Sequence, residues 1–192
     1  MNVCVFAASS SRIDSIYAAA ASELGTLLAE AGMSIIYGGG GIGLMGNLAD
    51  AALEKGGHVT GVIPEFMKDE GWGHDVVTEM IVTGDMGDRK KMMFSKADAV
   101  IALPGGIGTL EELTEAMTLK QLGIYKGPII ILNTSGFYNS FIDFLDQMIS
   151  GNFLRLQHKD IWEVVNTPAE ALKALKGYNG WLDNPREIAR IV

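Results

Sequence analysis

Short runs of β-branched and apolar residues alternate with longer stretches of helical period along most of this chain. The alternation is typical of βαβ units, in which helices join parallel strands and cover both faces of the sheet. We therefore predict a doubly wound α/β fold with a mostly parallel sheet of about seven strands and helices on both faces. Predicted strands are residues 3–8, 34–37, 58–63, 76–82, 99–103, 128–132 and 161–165. Predicted helices are residues 13–31, 44–55, 88–97, 109–122, 137–149 and 169–175.

Length and composition favour one acidic domain. The 192 residues are 48% hydrophobic, which is enough to bury one sizeable core, so we expect a single domain over 1–192. A formal net charge of −8 argues against nucleic acid or an anionic membrane as a partner. No leader-like segment and no apolar run of roughly 18 residues is present, and a lone Cys4 fits a reducing compartment, which together favour the cytoplasm.

The first of two glycine-rich junctions, GGGGIGLMG at residues 38–46, lies between a predicted strand and a predicted helix. Gly41, Gly43 and Gly46 have the G-x-G-x-x-G spacing of dinucleotide-binding turns. The context differs, because the acid expected at the end of the next strand corresponds to Glu65 in a predicted irregular segment, 64–75. Two interpretations stay open: these glycines contact a nucleotide, or they only permit tight turning and close helix packing.

The second junction, PGGIGTLEE at residues 104–112, lacks the G-K-[ST] of a Walker loop, which argues against an ATPase. Glycines ahead of a helix leave backbone N–H groups free to surround one phosphate at the helix N-terminus. A nucleoside monophosphate fits this better than a triphosphate. The candidate donors are the backbone of Gly105, Gly106, Ile107 and Gly108 and the hydroxyl of Thr109.

Glu112 has two interpretations. Thr109 to Glu112 reads T-x-x-E, a capping box in which the glutamate folds back onto the start of its helix. Alternatively, Glu112 serves a site together with Arg89 and Lys90, which open the preceding predicted helix although basic residues there oppose its dipole. These two cations are well placed to neutralise a phosphate and to pair with Glu112, whereas Lys91 fits a solvated face.

MGDRK together with PGGIGTLEE resembles the M-x-x-R-K and P-G-G-x-G-T-x-x-E motifs of the LOG ("Lonely Guy") family. The likeness continues in order through VCVFAASSSR, YGGGGIGLMG, GHVTGVIPEF, QLGIYKGPIIILN and GFYNSFIDFL, and so covers nearly the whole chain. Members are cytokinin riboside 5′-monophosphate phosphoribohydrolases, once labelled possible lysine decarboxylases. The resemblance implies a Rossmann-like, homodimeric hydrolase that releases the base and ribose 5-phosphate from a cytokinin nucleotide or AMP, with no cofactor or metal.

The same resemblance assigns the site residues. The family's catalytic arginine and glutamate correspond to Arg89 and Glu112. Predicted substrate-binding residues are Ser9, Gly39, Gly43, Met86, Lys90, Gly105, Gly106, Ile107, Gly108, Thr109, Leu110, Glu111 and Thr118. A loop glutamate that contacts substrate in plant members corresponds by counting to Gly71, which leaves Glu70 or Glu79 as the acid and leaves the identity of the base open.

Elementary chemistry agrees with this reaction. Cleavage of an N-glycosidic bond passes through an oxocarbenium-like centre, so a carboxylate beside the anomeric carbon can stabilise positive charge or activate water. We assign that role to Glu112, with Arg89 as its clamp. Because a guanidinium is a poor proton donor, the group that protonates the leaving base stays open.

Two other functions compete with the hydrolase. A non-catalytic nucleotide-binding module needs the glycine junctions but neither Arg89 nor Glu112. An amino-acid decarboxylase needs a lysine Schiff base to pyridoxal phosphate, and no lysine has that setting. The scattered His58, His74 and His158 give no metal motif and are interpreted as surface or strand-end residues.

A surplus of apolar residues favours a homodimer. Mean hydropathy is +0.21 and the chain has ten methionines. Together these values indicate more apolar surface than one small core can bury, and a second copy of the chain would cover the rest. We expect Met92, Met93 and the helix that carries Met117 to lie near the interface.

Overall fold

Seven parallel strands form one sheet in the computed structural model, which describes residues 1–182 and 185–189. Residues 183, 184 and 190–192 of the predicted single domain lie outside the described residues. The spatial order is β4-β3-β2-β1-β5-β6-β7, which confirms the predicted doubly wound α/β class and makes the sheet parallel throughout. The strands are β1 (Asn2–Phe6), β2 (Ser34–Tyr37), β3 (Val59–Pro64), β4 (Glu79–Thr83), β5 (Ala99–Ala102), β6 (Ile129–Leu132) and β7 (Glu163–Val165).

Helices cover both faces of this sheet. They are α1 (Ser15–Glu30), α2 (Gly43–Glu54), α3 (Glu65–Asp69), α4 (Met86–Lys96), α5 (Ile107–Gln121), α6 (Asn139–Ser150), α7 (Pro168–Gly177) and α8 (Pro185–Ala189), with 3-10 turns at Thr134–Gly136 and Leu156–Ile161. One core lies between the sheet and α1, α2 and α7, and the other between the sheet and α4, α5 and α6. The central strands are therefore buried on both sides.

Strand β1 shows why the sequence reads as continuous apolar runs. Val3 and Val5 belong to the core under α1 and α2, while Cys4 and Phe6 belong to the core under α4 and α5. Successive side chains of a strand point to opposite faces, so a strand with helices on both sides needs apolar residues at every position. Cys4 is a buried free thiol, and burial raises its pKa.

Local contacts moved several predicted boundaries. The predicted irregular segment 64–75 contains helix α3, and β4 begins at Glu79 rather than at 76. The last strand is shorter than predicted because Leu156–Ile161 winds into a 3-10 turn. His158 lies in that turn and is buried, so the interpretation of all three histidines as surface or strand-end residues is wrong for it.

Of the two interpretations of Glu112, the capping box at the start of α5 is wrong. Gly106 is the N-cap and the helix begins at Ile107, which makes Thr109 a residue of its first turn rather than the cap. The Thr109 side chain packs against Gly105, where any β-carbon would collide with it. Glu112 is therefore free of the capping role.

Strand β1 lies between β2 and β5, and the winding reverses on either side of it. In open parallel sheets, ligands bind beyond the carboxyl ends of the strands at such a switch point. The segments that follow β1, β2 and β5 are the loop 7–10 and the two glycine-rich junctions. The topology thus collects the sequence's most distinctive motifs at one edge of the sheet.

The contact between α1 and α2 depends on a glycine. A β-carbon on Gly25 would strike the Leu48 carbonyl in the facing helix, and backbone cannot move aside as a flexible side chain can. We expect Gly25→Ala to lower the free energy of unfolding by about 1–3 kcal/mol, because the helices must separate to accommodate it. Urea unfolding followed by circular dichroism measures the change.

Gly177→Ala is the matched control for this substitution. Gly177 is also helical, but a β-carbon there meets no atom within 4 Å. We expect it to leave stability unchanged or to raise it by at most about 1 kcal/mol. Equal unfolding midpoints for the two variants would contradict the proposed role of Gly25.

Candidate active site

Ala8 joins the two glycine-rich junctions. Its N–H donates to the Pro104 carbonyl at 3.2 Å, and its carbonyl accepts from Met45 N at 3.3 Å. Gly43 has a φ of +69° and approaches the Ser9–Ser10 backbone so closely that a side chain would collide with it. Of the two interpretations of residues 38–46, tight turning and close packing therefore apply at Gly43.

A cavity of about 370 Å³ opens beside this joint. Its walls are mostly apolar, with one buried cation. The lining residues are Ser9, Gly38, Gly40, Ile42, Met45, Ile63, Met67, Trp72 and Arg89. Such a concave, largely apolar space with a few polar groups is typical of a small-molecule site.

The segment 64–75 forms the outer wall of the cavity. Met67 comes from α3 and Trp72 from the loop behind it. That wall is held to the first glycine junction, because Gly41 N donates to the Trp72 carbonyl at 3.2 Å and Gly40 forms a bridge with Gly73. The site residues predicted from the sequence do not include the apolar side chains that line this cavity. One sequence feature could have indicated them: the long irregular segment 64–75, which contains Met67 and Trp72 and is longer than most loops of a compact domain.

Arg89 lies inside the protein near the start of α4. Asp85 caps that helix by accepting from Asp88 N at 2.8 Å, which fixes the first turn. Arg89 is 7% exposed, and its Nε donates to the Val62 carbonyl at 2.9 Å. The guanidinium also lies against Gly38, where any β-carbon would collide with it. The absence of a side chain at Gly38 is thus what admits the arginine.

Glu112 is the partner of this arginine. Arg89 Nη1 donates to Glu112 Oε1 at 2.8 Å, and Glu112 is only 8% exposed. The predicted pairing of these two residues is confirmed. Burial raises the pKa of Glu112 above its ordinary value, and the ion pair with Arg89 opposes that shift without cancelling it.

Lys90 differs from its predicted placement. Its Nζ pairs with Glu111 and, at 2.8 Å, with Glu115, rather than with Glu112. The hydrogen bond to Glu111 is the largest cause of the raised pKa of Lys90. The expectation that Lys90 pairs with Glu112 is therefore wrong, and its charge offsets two carboxylates on the face of α5.

The start of α5 carries backbone donors without partners inside the helix. The first N–H to bond back into it is Leu110 N, which donates to the Gly106 carbonyl at 3.0 Å. The N–H groups of Ile107, Gly108 and Thr109 precede it and are left for another acceptor. This is the arrangement the sequence predicts for a phosphate.

The other predicted binding residues are distributed unevenly. Gly39 has a φ of +76° and packs against β3, and Met86 is the exposed first residue of α4. Leu110 is half-buried in α5. Thr118 is exposed, and its hydroxyl donates to the Thr114 carbonyl at 2.8 Å. It lies roughly 13 Å along the helix from Thr109, at 1.5 Å per residue, so the structure does not bring it to the glycine junction.

The choice between two loop acids is narrowed. Glu79 begins β4, and its Oε2 accepts from the Thr60 hydroxyl at 3.3 Å. Because β4 runs from Glu79 toward Thr83, this glutamate lies at the far end of the strand from the cavity. Glu70 is exposed at the end of α3, in the segment that forms the outer wall, and stays the predicted acid.

Within residues 1–182 and 185–189, no three His, Cys, Asp or Glu side chains cluster in a way that could hold a metal ion. His74 pairs with Asp50 at 3.0 Å. None of the helices in the same ranges is both long and apolar enough to span a membrane.

Comparison with known proteins decides the family. A family model described as "Possible lysine decarboxylase" matches residues 45–175. A probable cytokinin riboside 5′-monophosphate phosphoribohydrolase of Oryza sativa subsp. japonica, LOGL2, is 41% identical and covers 92% of this chain and 72% of its own. The corresponding enzyme LOG1 of Arabidopsis thaliana is 42% identical, with 92% and 83% covered.

The chain belongs to the LOG family. Solved structures agree with the fold of this LOG-family chain. The protein TM1055, from a structural genomics determination, is 27% identical with a TM-score of 0.71, covering 92% of this chain and 99% of its own. The molybdenum cofactor carrier protein of Chlamydomonas reinhardtii is 24% identical with a TM-score of 0.70, covering 91% and 95%. At that identity the carrier shows the fold alone.

Gly38 offers a direct test of the arginine's position. We expect Gly38→Ala to push the Arg89 guanidinium away from Val62 and Glu112, because the added methyl group occupies its space. Crystal structures of the variant and the wild type would show the displaced side chain. Gly84→Ala is the control, since a β-carbon there meets no atom within 4 Å. An unmoved Arg89 in Gly38→Ala would contradict this role for the glycine.

The direction of the Glu112 pKa is a second test. We expect the Glu112 carboxyl to titrate above the ordinary glutamate value, because burial outweighs the neighbouring Arg89. Protonation is therefore completed at a higher pH than for an exposed glutamate. A ¹³C NMR titration of protein labelled at the glutamate carboxyls measures this, with Glu112→Gln identifying the signal. A carboxyl that titrates at or below the ordinary value would contradict the expectation.

Proposed function

We propose that this LOG-family chain hydrolyses the N-glycosidic bond of a nucleoside 5′-monophosphate and releases the free base and ribose 5-phosphate. The observation that carries the proposal is the buried ion pair of Arg89 and Glu112 between an apolar cavity and the amide-rich start of α5. The names of the plant relatives, cytokinin riboside 5′-monophosphate phosphoribohydrolases, support the same reaction.

In this proposal the nucleotide spans the two glycine junctions. The 5′-phosphate binds the free N–H groups of Ile107, Gly108 and Thr109, where the helix dipole favours an anion. The base enters the apolar cavity between Met45 and Trp72. The ribose then lies between them, beside the Arg89–Glu112 pair. Gly105, Gly106, Ser9 and Gly43 shape the backbone on which the substrate rests.

Glu112 is the proposed catalytic carboxylate. As the bond to the base lengthens, positive charge grows at C1′ and on the ring oxygen, and an ionised carboxylate there stabilises it or activates the attacking water. Arg89 holds the Glu112 carboxylate in one orientation through its hydrogen bonds to Val62 and Glu112. A carboxylate held in place before the reaction does not have to reorganise during it.

The base we propose is an adenine that carries an apolar substituent. Unsubstituted adenine, released from AMP, is the second candidate. The relatives' printed names specify a cytokinin nucleotide. Ile42, Met45, Ile63 and Met67 supply a wall that would bury such a substituent, and thioether side chains adapt to irregular shapes. Glu70 is the proposed loop acid on the substrate's outer side.

We further propose one domain over 1–192 that acts as a homodimer in the cytoplasm without nucleic acid. The negative net charge supports the exclusion of nucleic acid, and exposed Ile124, Phe144 and Phe153 support a surface that a second copy covers. We expect Met93 and the helix that carries Met117 near the interface, but both methionine side chains are buried within this chain's own core and do not supply that surface. Met92 is only partly buried against the same core.

The reaction is tested with Glu112→Gln, which keeps the shape of the side chain and removes its charge. We expect kcat for base release from N6-isopentenyl-AMP and from AMP to fall by about 10²–10⁴-fold, while nucleotide binding changes little. Chromatography of the free base and calorimetry of nucleotide binding measure the two quantities. Adenosine, which lacks the phosphate, is expected to be a poor substrate.

Glu115→Gln is the matched control, because Glu115 lies one turn further along α5 and is also paired with a basic residue, Lys90. We expect it to retain most of the activity. Nucleotide binding without base release in the wild type would replace the hydrolase with a binding module. A wild-type absorbance band of bound pyridoxal phosphate, with release of carbon dioxide from an amino acid, would favour the decarboxylase instead.

A further inference from the structure

Lys120 is a buried cation that the proposed reaction does not use. It lies near the end of α5, and only 2% of it is exposed. In the described part of the chain it forms no ion pair with a carboxylate and no hydrogen bond. Charged residues are almost never fully buried without a partner, since leaving water costs several kcal/mol. An unpaired buried ammonium therefore calls for a physical account.

A tyrosine supplies part of that account. Lys120 Nζ lies 4.8 Å from the centroid of the Tyr178 ring, within the range of a cation–π contact. The Tyr178 hydroxyl donates to the Lys126 carbonyl at 2.8 Å, which holds the ring in place. The contact is incomplete compensation, because burial still lowers the pKa of Lys120 to about 8. At neutral pH the side chain is mostly protonated, and no carboxylate within residues 1–182 or 185–189 pairs with it.

A cavity of about 240 Å³ opens beside this ammonium, and we call it the Lys120 cleft. Its described lining has two lysines, two aromatic rings and no carboxylate, in a chain whose net charge is −8. The lining residues are Lys120, Tyr125, Lys126, Asn179, Gly180, Trp181, Leu182 and Pro185. The local charge of this partly aromatic cleft is therefore positive, although the net charge of the protein is negative.

Other charged and titratable groups surround Lys120 from each neighbouring element. Asp160 and Glu163 line a second cavity on another side of Lys120, and neither forms an ion pair with it. His158, in the same 3-10 turn as Asp160, has a pKa lowered by burial, so it stays neutral where Lys120 titrates. Helix α8 carries two further charged residues, Arg186 and Glu187. The Arg186 Nε donates to the Leu122 carbonyl at 3.0 Å.

Two tyrosines also lie close to Lys120. Burial raises the pKa values of Tyr125 and Tyr178, so both hydroxyl groups stay neutral where Lys120 titrates.

We propose that the Lys120 cleft binds a small planar carboxylate, whose anionic group pairs with Lys120 and Lys126 and whose flat apolar body lies between Tyr125 and Trp181. Two ammonium groups neutralise one carboxylate, and aromatic walls favour a flat apolar body over a hydrated inorganic ion. The cleft is separate from the proposed catalytic pair, because Lys120 lies roughly 12 Å beyond Glu112 along α5 at 1.5 Å per residue.

Benzoate is the probe for this site. We expect saturable binding to the full chain by isothermal titration calorimetry, with a Kd of about 1 mM or tighter. Lys120→Met keeps the length of the side chain without the charge, and we expect it to weaken benzoate binding by at least about 10-fold, with a smaller loss for Lys126→Met. Lys55→Met is the control, because Lys55 is an exposed surface residue paired with Glu30.

The pH dependence gives a second readout. Benzoate stays ionised throughout, while Lys120 loses its proton as pH rises through about 8, so affinity falls above that pH. Bound benzoate stabilises the ammonium and therefore raises its pKa, which ¹⁵N NMR of the lysine Nζ detects in the wild type. This second measurement keeps the test decisive if Lys120→Met does not fold.

Three results would overturn the proposal: no saturable benzoate binding, an unchanged Kd in folded Lys120→Met, or equal binding of inorganic phosphate at the same concentration. The outcome is independent of the hydrolase. Lys120 lies outside the proposed catalytic machinery, so Lys120→Met is expected to keep base release at the wild-type rate. If both proposals hold, the Glu112→Gln variant loses base release but binds benzoate as tightly as the wild type.

Discussion

The ion pair of Arg89 and Glu112 is the constraint around which this site is arranged. Two charges removed from water cost more than their mutual attraction returns unless further hydrogen bonds complete their shells. Arg89 obtains one such bond from the Val62 carbonyl, and its space comes from the missing side chain of Gly38. Glu112 still carries a raised pKa, so the balance is not fully restored. A well-packed apolar pair would be at least as stable, which makes a chemical reason for the charges the stronger explanation.

The fold places this pair at the edge of the sheet where the parallel strands end. Arg89 follows β4 and Glu112 follows β5, and these strands are separated by three others in the sheet. The pair meets only because α4 and α5 pack on the same face. The two glycine junctions contribute different features. Residues 38–46 allow close packing and line the cavity, and residues 104–112 leave backbone N–H donors at the start of α5. Ala8 fixes their spacing through one hydrogen bond to each.

Helix α5 shows how an acidic chain uses its few cations locally. Near its start, Lys90 offsets Glu111 and Glu115, so that these two carboxylates are not left uncompensated beside the Arg89–Glu112 pair. Near its end, Lys120 has no carboxylate partner among the described residues and rests on the ring of Tyr178. One helix thus carries an acidic face that Lys90 offsets and a positive cleft in which no carboxylate of the described residues pairs with Lys120. Net charge alone predicts neither.

The sequence by itself determined those features that depend on neighbouring residues or on known motifs. Apolar runs of strand length between helical periods predicted the parallel sheet, because a strand covered on both faces needs apolar residues throughout. The glycines ahead of α5 predicted free amides, and the two motifs predicted that Arg89 and Glu112 meet. Tertiary packing decided the rest. The wall with Met67 and Trp72, the partners of Lys90 and the burial of Lys120 all depend on which elements pack together, and residue spacing along one chain does not specify contacts between elements.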